Sequence, residues 1–309
     1  MQKITVVGAG RVGESTAQFI AYHDLCRELV LLDVKEGAAE GAALDIQQNA
    51  PLFGFDTRLT GGTKPSLIKD SNLIIITAGI PRKSGMSRSD VMGTNVRITD
   101  EIVEHTLQYA PNAMLLFVSN PVDILTYRAW KKTGWERNRV FGQAGVLDST
   151  RMGSFIAMET GFSTKDITAM VMGGHGDSMV PMMRFTTISG IPVSNFLEPE
   201  AIERIVERTR HGGAEILALR QNSSAYDAPA AAVQVMVDAM IHNRKRILPS
   251  VAILDDEYGC SDLAIGVPTV LGEFGMEKVV ELALNEQEQA DFDKSISMVR
   301  KDLEILATL

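Results

Sequence analysis

The first half of the chain alternates apolar runs with amphipathic stretches. Lys3–Val7 is a short β-rich run, followed by a glycine-rich step and a helical stretch to about Tyr22. A second run, from Glu28 to Leu32, ends at Asp33. The pattern then predicts a helix over 36–48, a strand over 72–77, a helix over 89–109 and a strand over 113–118. These strand runs are nearly continuous in apolar residues, which is the signature of parallel strands covered on both faces. The second half reads differently. A helix runs from Gly145 to about Glu159, and an alternating run over 167–172 reads as a strand. Gly190-Ile191-Pro192 marks a turn, and one-sided helices follow over 201–220 and 230–241. Apolar strands are expected around 251–254 and 263–267. A closing helix carries Phe292, Ile296, Val299, Leu303 and Leu306 on one face. The expected architecture is an α/β, doubly wound parallel sheet over 1–145, followed by an α+β domain over 146–309.

Composition narrows the classes of function. The 309 residues are 45% hydrophobic and 22% charged, ordinary for a soluble globular protein. A formal net charge of −9 argues against general binding to nucleic acid or an anionic membrane. Two cysteines, Cys26 and Cys260, are too few for a disulfide framework and lack metal-ligand spacing, which favours a reducing, cytoplasmic setting. No signal peptide and no membrane-spanning run is read. No bound metal is expected.

Gly8-Ala9-Gly10-Arg11-Val12-Gly13 sits between the first strand and its helix, and Asp33 follows Gly13 by 20 residues. Strand, glycine loop, helix, strand and acid make up the dinucleotide fingerprint in its required context. Gly8 permits the turn, Gly10 lets a pyrophosphate approach, and Gly13 lets helix and strand pack closely, with the helix N-terminus facing the anion. Asp33 would accept hydrogen bonds from the adenosine ribose and repel a 2′-phosphate, favouring NAD over NADP. Similar loops serve flavin and methyl-donor proteins.

Two strands end in polar loops, Thr77-Ala78-Gly79 and Ser119-Asn120-Pro121. Ligands of doubly wound sheets lie beyond such strand ends, so Asn120 either faces a ligand there or caps the next helix. The segment 79–88 carries Arg82, Lys83 and Arg88 between glycines, and reads as a mobile lid or as a solvated loop. Asp148 and Arg151 are three apart and share one helical face, as a site pair, a surface ion pair or a cap. Among five histidines, His175 alone is flanked by glycines at a strand end, in Gly173-Gly174-His175-Gly176-Asp177-Ser178. It is either an acid/base group or part of an ordinary turn.

GAGRVG at 8–13, AGIPRKSGMSR at 78–88, SNPVD at 119–123, VLDSTR at 146–151 and GGHGDS at 173–178 occur in this order. On these motifs the whole chain resembles the lactate/malate dehydrogenase family, in particular its lactate dehydrogenase-like malate dehydrogenases. The resemblance implies a Rossmann domain and NAD as cofactor, held by Gly8, Ala9, Gly10, Arg11, Val12, Gly13, Asp33, Thr77, Ala78, Gly79, Asn95, Val118 and Asn120. It implies that His175 moves the proton with Asp148 as its partner, that Arg151 binds the substrate carboxylate, and that Arg88 polarises the carbonyl. Asn120 would orient substrate. Arg82 would select dicarboxylates, malate and oxaloacetate, where lactate dehydrogenases carry Gln. A tricarboxylic acid cycle role and a homo-oligomer, tetramer before dimer, are implied too. The chain is expected to lack the N-terminal arm that vertebrate-type lactate dehydrogenases use in tetramer contacts, so its assembly is not read across from theirs. The competing readings are lactate dehydrogenase, an NAD-dependent glycosidase and a non-catalytic NAD-binding protein. A glycosidase of that kind needs a metal held by Cys and His, whereas Asp148, Arg151 and His175 fit the keto-acid family instead.

Overall fold

The computed structural model describes residues 1–80, 88–221 and 223–308, and the side chains of Arg88 and Ser89 lie outside that description. The first half builds β1 (Lys3–Val7), α1 (Arg11–Tyr22), β2 (Glu28–Leu32), α2 (Ala38–Gln48), α3 (Ala50–Phe53), β3 (Arg58–Gly62), β4 (Leu73–Ile76), α4 (Arg88–Tyr109), β5 (Met114–Phe117), α5 (Val122–Thr133) and β6 (Val140–Gly142). These six strands are parallel and ordered β3-β2-β1-β4-β5-β6. That is the doubly wound dinucleotide-binding order, with its switch point between β1 and β4. Every residue of β4 and β5 is buried, as their unbroken apolar runs require.

The second half continues with α6 (Gly145–Thr160), β7 (Ile167–Thr168), β8 (Val171–Gly173), β9 (Met179–Pro181), β10 (Thr187–Ile188), β11 (Ile191–Pro192), α7 (Pro199–Arg220), α8 (Asp227–Ile241), β12 (Arg246–Asp255), β13 (Ser261–Gly272), β14 (Gly275–Val279) and α9 (Glu286–Leu306). Its long strands do not form a sheet of their own. β12 pairs with β6 at Val251 and Gly142, and the sheet runs on through β13, β8 and β9. Against Gly142 a Cβ would lie 3.0 Å from Val251 Cβ and 2.8 Å from Val122 Cγ2, so the seam needs glycine.

The alternating run 167–172 divides at Ala169 and Met170. β7 pairs with β10 in a small three-stranded sheet, and β8 joins the main sheet beside β13. The apolar strands at 251–254 and 263–267 are the centre of a much longer antiparallel hairpin, β12 and β13. Buried apolar runs thus occur here in antiparallel strands, because helices cover this hairpin as they cover the parallel strands. Helix α8 packs on α1 and couples the halves.

Candidate active site

The glycine loop forms a cradle that its sequence requires. Gly8 takes φ +105°, and a Cβ there would sit 2.6 Å from the Ala78 amide nitrogen. A Cβ on Gly13 would fall 1.8 Å from the Gly8 carbonyl oxygen, so α1 lies against the loop as closely as backbone permits. Among the described residues Gly10 caps α1 with no side-chain partner, and a Cβ there would meet none of them within 4 Å. The helix N-terminus beside it therefore faces open space, where a pyrophosphate fits. The Asp33 carboxylate, at the end of β2, accepts the Ala9 N–H at 2.7 Å and the Lys35 N–H at 2.9 Å. It sits at the loop edge where a ribose would lie. Arg11 and Val12 open α1, and the Arg11 guanidinium stacks 5.3 Å above the Tyr226 ring.

Thr77, Ala78 and Gly79 follow β4, and Val118 and Asn120 follow β5. The Thr77 hydroxyl donates to the Gly8 carbonyl at 3.0 Å, joining the two sides of the switch point. The Ser119 hydroxyl donates to the Ala78 carbonyl at 2.6 Å. Asn95 is buried on α4. Its amide oxygen accepts the Ile80 N–H, and its amide nitrogen donates to the Asn120 carbonyl at 2.7 Å. Asn95 thereby ties the loops after β4 and β5 together. Asn120 is exposed, and the helix cap position is taken by Pro121. Arg82 and the segment 81–87 lie outside the described residues. Arg88 begins α4, its side chain likewise outside the description.

In the second half, the His175 ring nitrogen Nδ1 lies 2.9 Å from Asp148 Oδ2, and Arg151 Nη1 donates to Asp148 Oδ1 at 3.1 Å. Asp148 is 2% exposed, so this is neither a surface pair nor a solvated cap. Both residues project from the first turns of α6, which places the carboxylate under the imidazole and the guanidinium beside it. Burial pulls the His175 pKa down, but the charge and hydrogen bond of Asp148, assisted by Asp123, lift it above the ordinary histidine value against the opposing charge of Arg151. With Nδ1 engaged, Nε2 is the nitrogen left to face a substrate.

Three contributors escaped the sequence reading. Asp123 Oδ2 accepts the His175 main-chain N–H at 3.0 Å, and the Ser295 hydroxyl accepts the Gly174 N–H at 2.9 Å. Gly212, inside α7, gives Arg151 its berth: a Cβ there would lie 2.3 Å from Arg151 Cδ. Asp123 belongs to SNPVD, so a signal existed for it. Ser295 and Gly212 sit within helical periodicity and carried none. The glycines before His175 also have an explanation beyond substrate access. Cβ atoms on Gly173 and Gly174 would press within 2.8 Å of Ser295 Oγ and 2.9 Å of Val299 Cγ2, so α9 packs directly on this turn.

A cradle for a dinucleotide at the switch point, with a histidine–carboxylate–arginine set nearby, defines a nicotinamide-dependent dehydrogenase. Comparison with known proteins agrees. The model of the lactate/malate dehydrogenase NAD binding domain matches residues 2–142, and that of the lactate/malate dehydrogenase alpha/beta C-terminal domain matches residues 145–308. The chain belongs to the lactate/malate dehydrogenase family, and its cofactor is NAD. It is 68% identical to a malate dehydrogenase of Thioalkalivibrio sulfidiphilus over 98% of this chain and 99% of the relative. It is 63% identical to one of Nitrosococcus oceani, over 99% of each. The solved malate dehydrogenase of Salinibacter ruber superposes with a TM-score of 0.95 at 43% identity, covering 100% of this chain and 98% of that one.

Proposed function

We propose that the protein interconverts (S)-malate and oxaloacetate with NAD, using His175 as the acid/base. The observation that carries the assignment of roles is the buried Asp148 carboxylate shared between His175 Nδ1 and Arg151. When bound, the nicotinamide supplies or removes the hydride. The reduction direction needs a proton delivered to the carbonyl oxygen, and His175 gives it from Nε2 while Asp148 stabilises the imidazolium and fixes the ring. In the oxidation direction neutral His175 takes the hydroxyl proton at the same atom. Arg151, oriented by Asp148 and seated against Gly212, is placed to hold the substrate carboxylate with its planar fork. Arg88 meets charge developing on the carbonyl oxygen. Asn120 orients substrate.

The glycine loop 8–13, with Asp33, Thr77, Ala78, Gly79, Val118 and Asn120, would line the cofactor site, and Asn95 serves it by holding two of its loops. The working division is a dinucleotide half over 1–145 and a substrate half over 146–309. Arg82 is assigned the choice of dicarboxylate: pyruvate would leave its guanidinium without a partner in a closed site. Side-by-side rates of NADH oxidation with oxaloacetate and pyruvate test the reading. A preference for pyruvate would replace it with the lactate dehydrogenase alternative.

We further place the enzyme in the cytoplasm, in the tricarboxylic acid cycle, as a homotetramer. Cys26 and Cys260 are both free, in keeping with a reducing compartment. Leu52 is 81% and Leu219 77% exposed, with Leu44, Phe53 and Leu217 also uncovered, more apolar surface on α2, α3 and α7 than a monomer needs. A light-scattering mass of one or two chains would remove the tetramer.

A further inference from the structure

Asp123 is a buried carboxylate for which the mechanism above has no use. It stands in the first turn of α5, three residues after Asn120, and is only 6% exposed. Its Oδ2 accepts the His175 main-chain N–H, while Oδ1 is buried with no hydrogen-bond partner among the described residues. An ionisable group in such a place is costly unless it serves a local purpose. The adjacent amide, Gly174 N–H, is bound by Ser295 of α9. Two successive amides of the catalytic turn are therefore clasped by two different helices. One clasp, Asp123, grows from the same short segment that carries Asn120.

We propose that Asp123 is a second carboxylate of the active site, a positioning residue that holds the His175 main chain against the Asn120 loop and adds its negative charge to that of Asp148 beside the imidazole. This rests on the malate dehydrogenase reading for its catalytic consequence, though not for its geometry. Asp148 orients the ring through Nδ1, and Asp123 orients the backbone from which the ring hangs. Together they fix both ends of the side chain relative to Asn120, so the proton donor and the substrate-orienting amide move as one unit.

The charges around this pair come from four elements. Asp148 and Arg151 face it from α6, and Asp177 lies in the turn itself. Arg210 of α7 and Asp291 and Lys294 of α9 line the cavity behind that turn. Asp148 and Asp123 raise the basicity of His175, and Arg151 opposes them. Burial holds the Asp123 carboxyl up at about 6, so it is ionised at neutral pH, helped by its place at the α5 N-terminus.

Two variants of the full chain separate geometry from charge. Histidine labelled with carbon-13 gives five ring signals, and His175→Asn identifies the one that matters. In Asp123→Asn the His175 ring pKa, titrated without substrate or turnover, falls by about 0.5–1 pH unit. In Asp123→Glu, which keeps the charge but displaces the acceptor, that ring pKa stays near the wild-type value. Its kcat for oxaloacetate drops about tenfold or more, with NADH affinity kept within about twofold. A ring pKa in Asp123→Asn within about 0.2 pH unit of wild type would refute the charge role. Wild-type kcat and KM in Asp123→Glu would refute the positioning role. Should wild-type protein not reduce oxaloacetate at all, the functional reading fails while the ring titration still decides the place of Asp123.

Discussion

The carboxylate of Asp148 is divided between two partners, with Oδ2 2.9 Å from His175 Nδ1 and Oδ1 3.1 Å from Arg151 Nη1. One buried charge therefore orients both the proton-transfer group and the cation assigned to the substrate carboxylate. Asp148→Asn keeps the shape but removes the charge and can present N–H donors to groups that need an acceptor. We predict a loss of kcat on the order of 10²–10⁴-fold, with a rise in KM because Arg151 loses its anchor. NADH binding, followed by fluorescence, should stay within about twofold, since Asp148 lies outside the glycine cradle. An unchanged KM would show that Arg151 is held by something other than Asp148.

The elevated His175 pKa fixes the sign of the pH dependence. Oxaloacetate reduction uses the imidazolium, so its rate falls as pH rises through the His175 value. Malate oxidation uses the neutral ring, so its rate falls as pH drops through the same value. Both midpoints belong above the ordinary histidine value of 6.5. Profiles of kcat/KM in the two directions check this, and coincident rather than mirrored limbs would exclude His175 as the titrating group.

Much of this was legible beforehand, for identifiable reasons. Strands β1, β2, β4 and β5 are covered on both faces, so their apolar runs are unbroken, and the glycine fingerprint is local in sequence. β3 was missed because Arg58–Gly62 ends in two glycines and is half exposed. The first of these, Gly61, passes so close to α2 that a Cβ would lie 2.1 Å from the Ala39 carbonyl oxygen. The sequence also could not show that β12 joins β6, because that seam rests on one pairing between residues over a hundred positions apart. The same holds for Asp123 and Ser295, whose roles depend on where α5 and α9 cross the His175 turn.

Gly10 and Gly13 should respond differently to the same added methyl group. In Gly10→Ala the Cβ meets no atom of the described residues within 4 Å, and the residue's φ of −80° suits alanine. That variant should fold with stability within about 0.5 kcal/mol of wild type while losing about tenfold or more in NADH affinity, because the methyl fills pyrophosphate space. In Gly13→Ala the Cβ collides with the Gly8 carbonyl, so stability should fall by about 1–3 kcal/mol along with cofactor affinity. Denaturant unfolding and NADH fluorescence on both proteins separate the two effects. Equal stabilities would mean the loop yields more easily than the packing implies.

Arg82→Gln should shift the substrate preference. If Arg82 holds the distal carboxylate as proposed, the substitution takes that partner from oxaloacetate and spares pyruvate an unpaired buried cation. We predict that the ratio of catalytic efficiencies, oxaloacetate over pyruvate, falls by roughly 30-fold to several thousand-fold. A ratio that stays at the wild-type value assigns the selection to another residue.

Asp123 also predicts how stability depends on pH. Burial raises its pKa from the ordinary 3.8 to about 6, so the folded protein prefers the neutral acid more than the unfolded chain does. The associated stability is fully present below the unfolded value and is lost as pH climbs through 6. A raised pKa of this size corresponds to about 3 kcal/mol, withdrawn between roughly pH 4 and 7. Asp123→Asn cannot ionise and does not undergo that loss. The unfolding free energy of the variant, measured against wild type, should therefore improve by about that amount from pH 4 to pH 7, whatever their difference at pH 4. His175 does not cancel, because the variant lowers its ring pKa, so its contribution is taken from the ring titration of both proteins; the other titrating groups cancel as long as the variant leaves them in place. A difference that stays flat across this range would mean that the carboxyl ionises in the folded protein as freely as in the unfolded chain, through solvation of Oδ1 or through a stronger pull from the His175 turn.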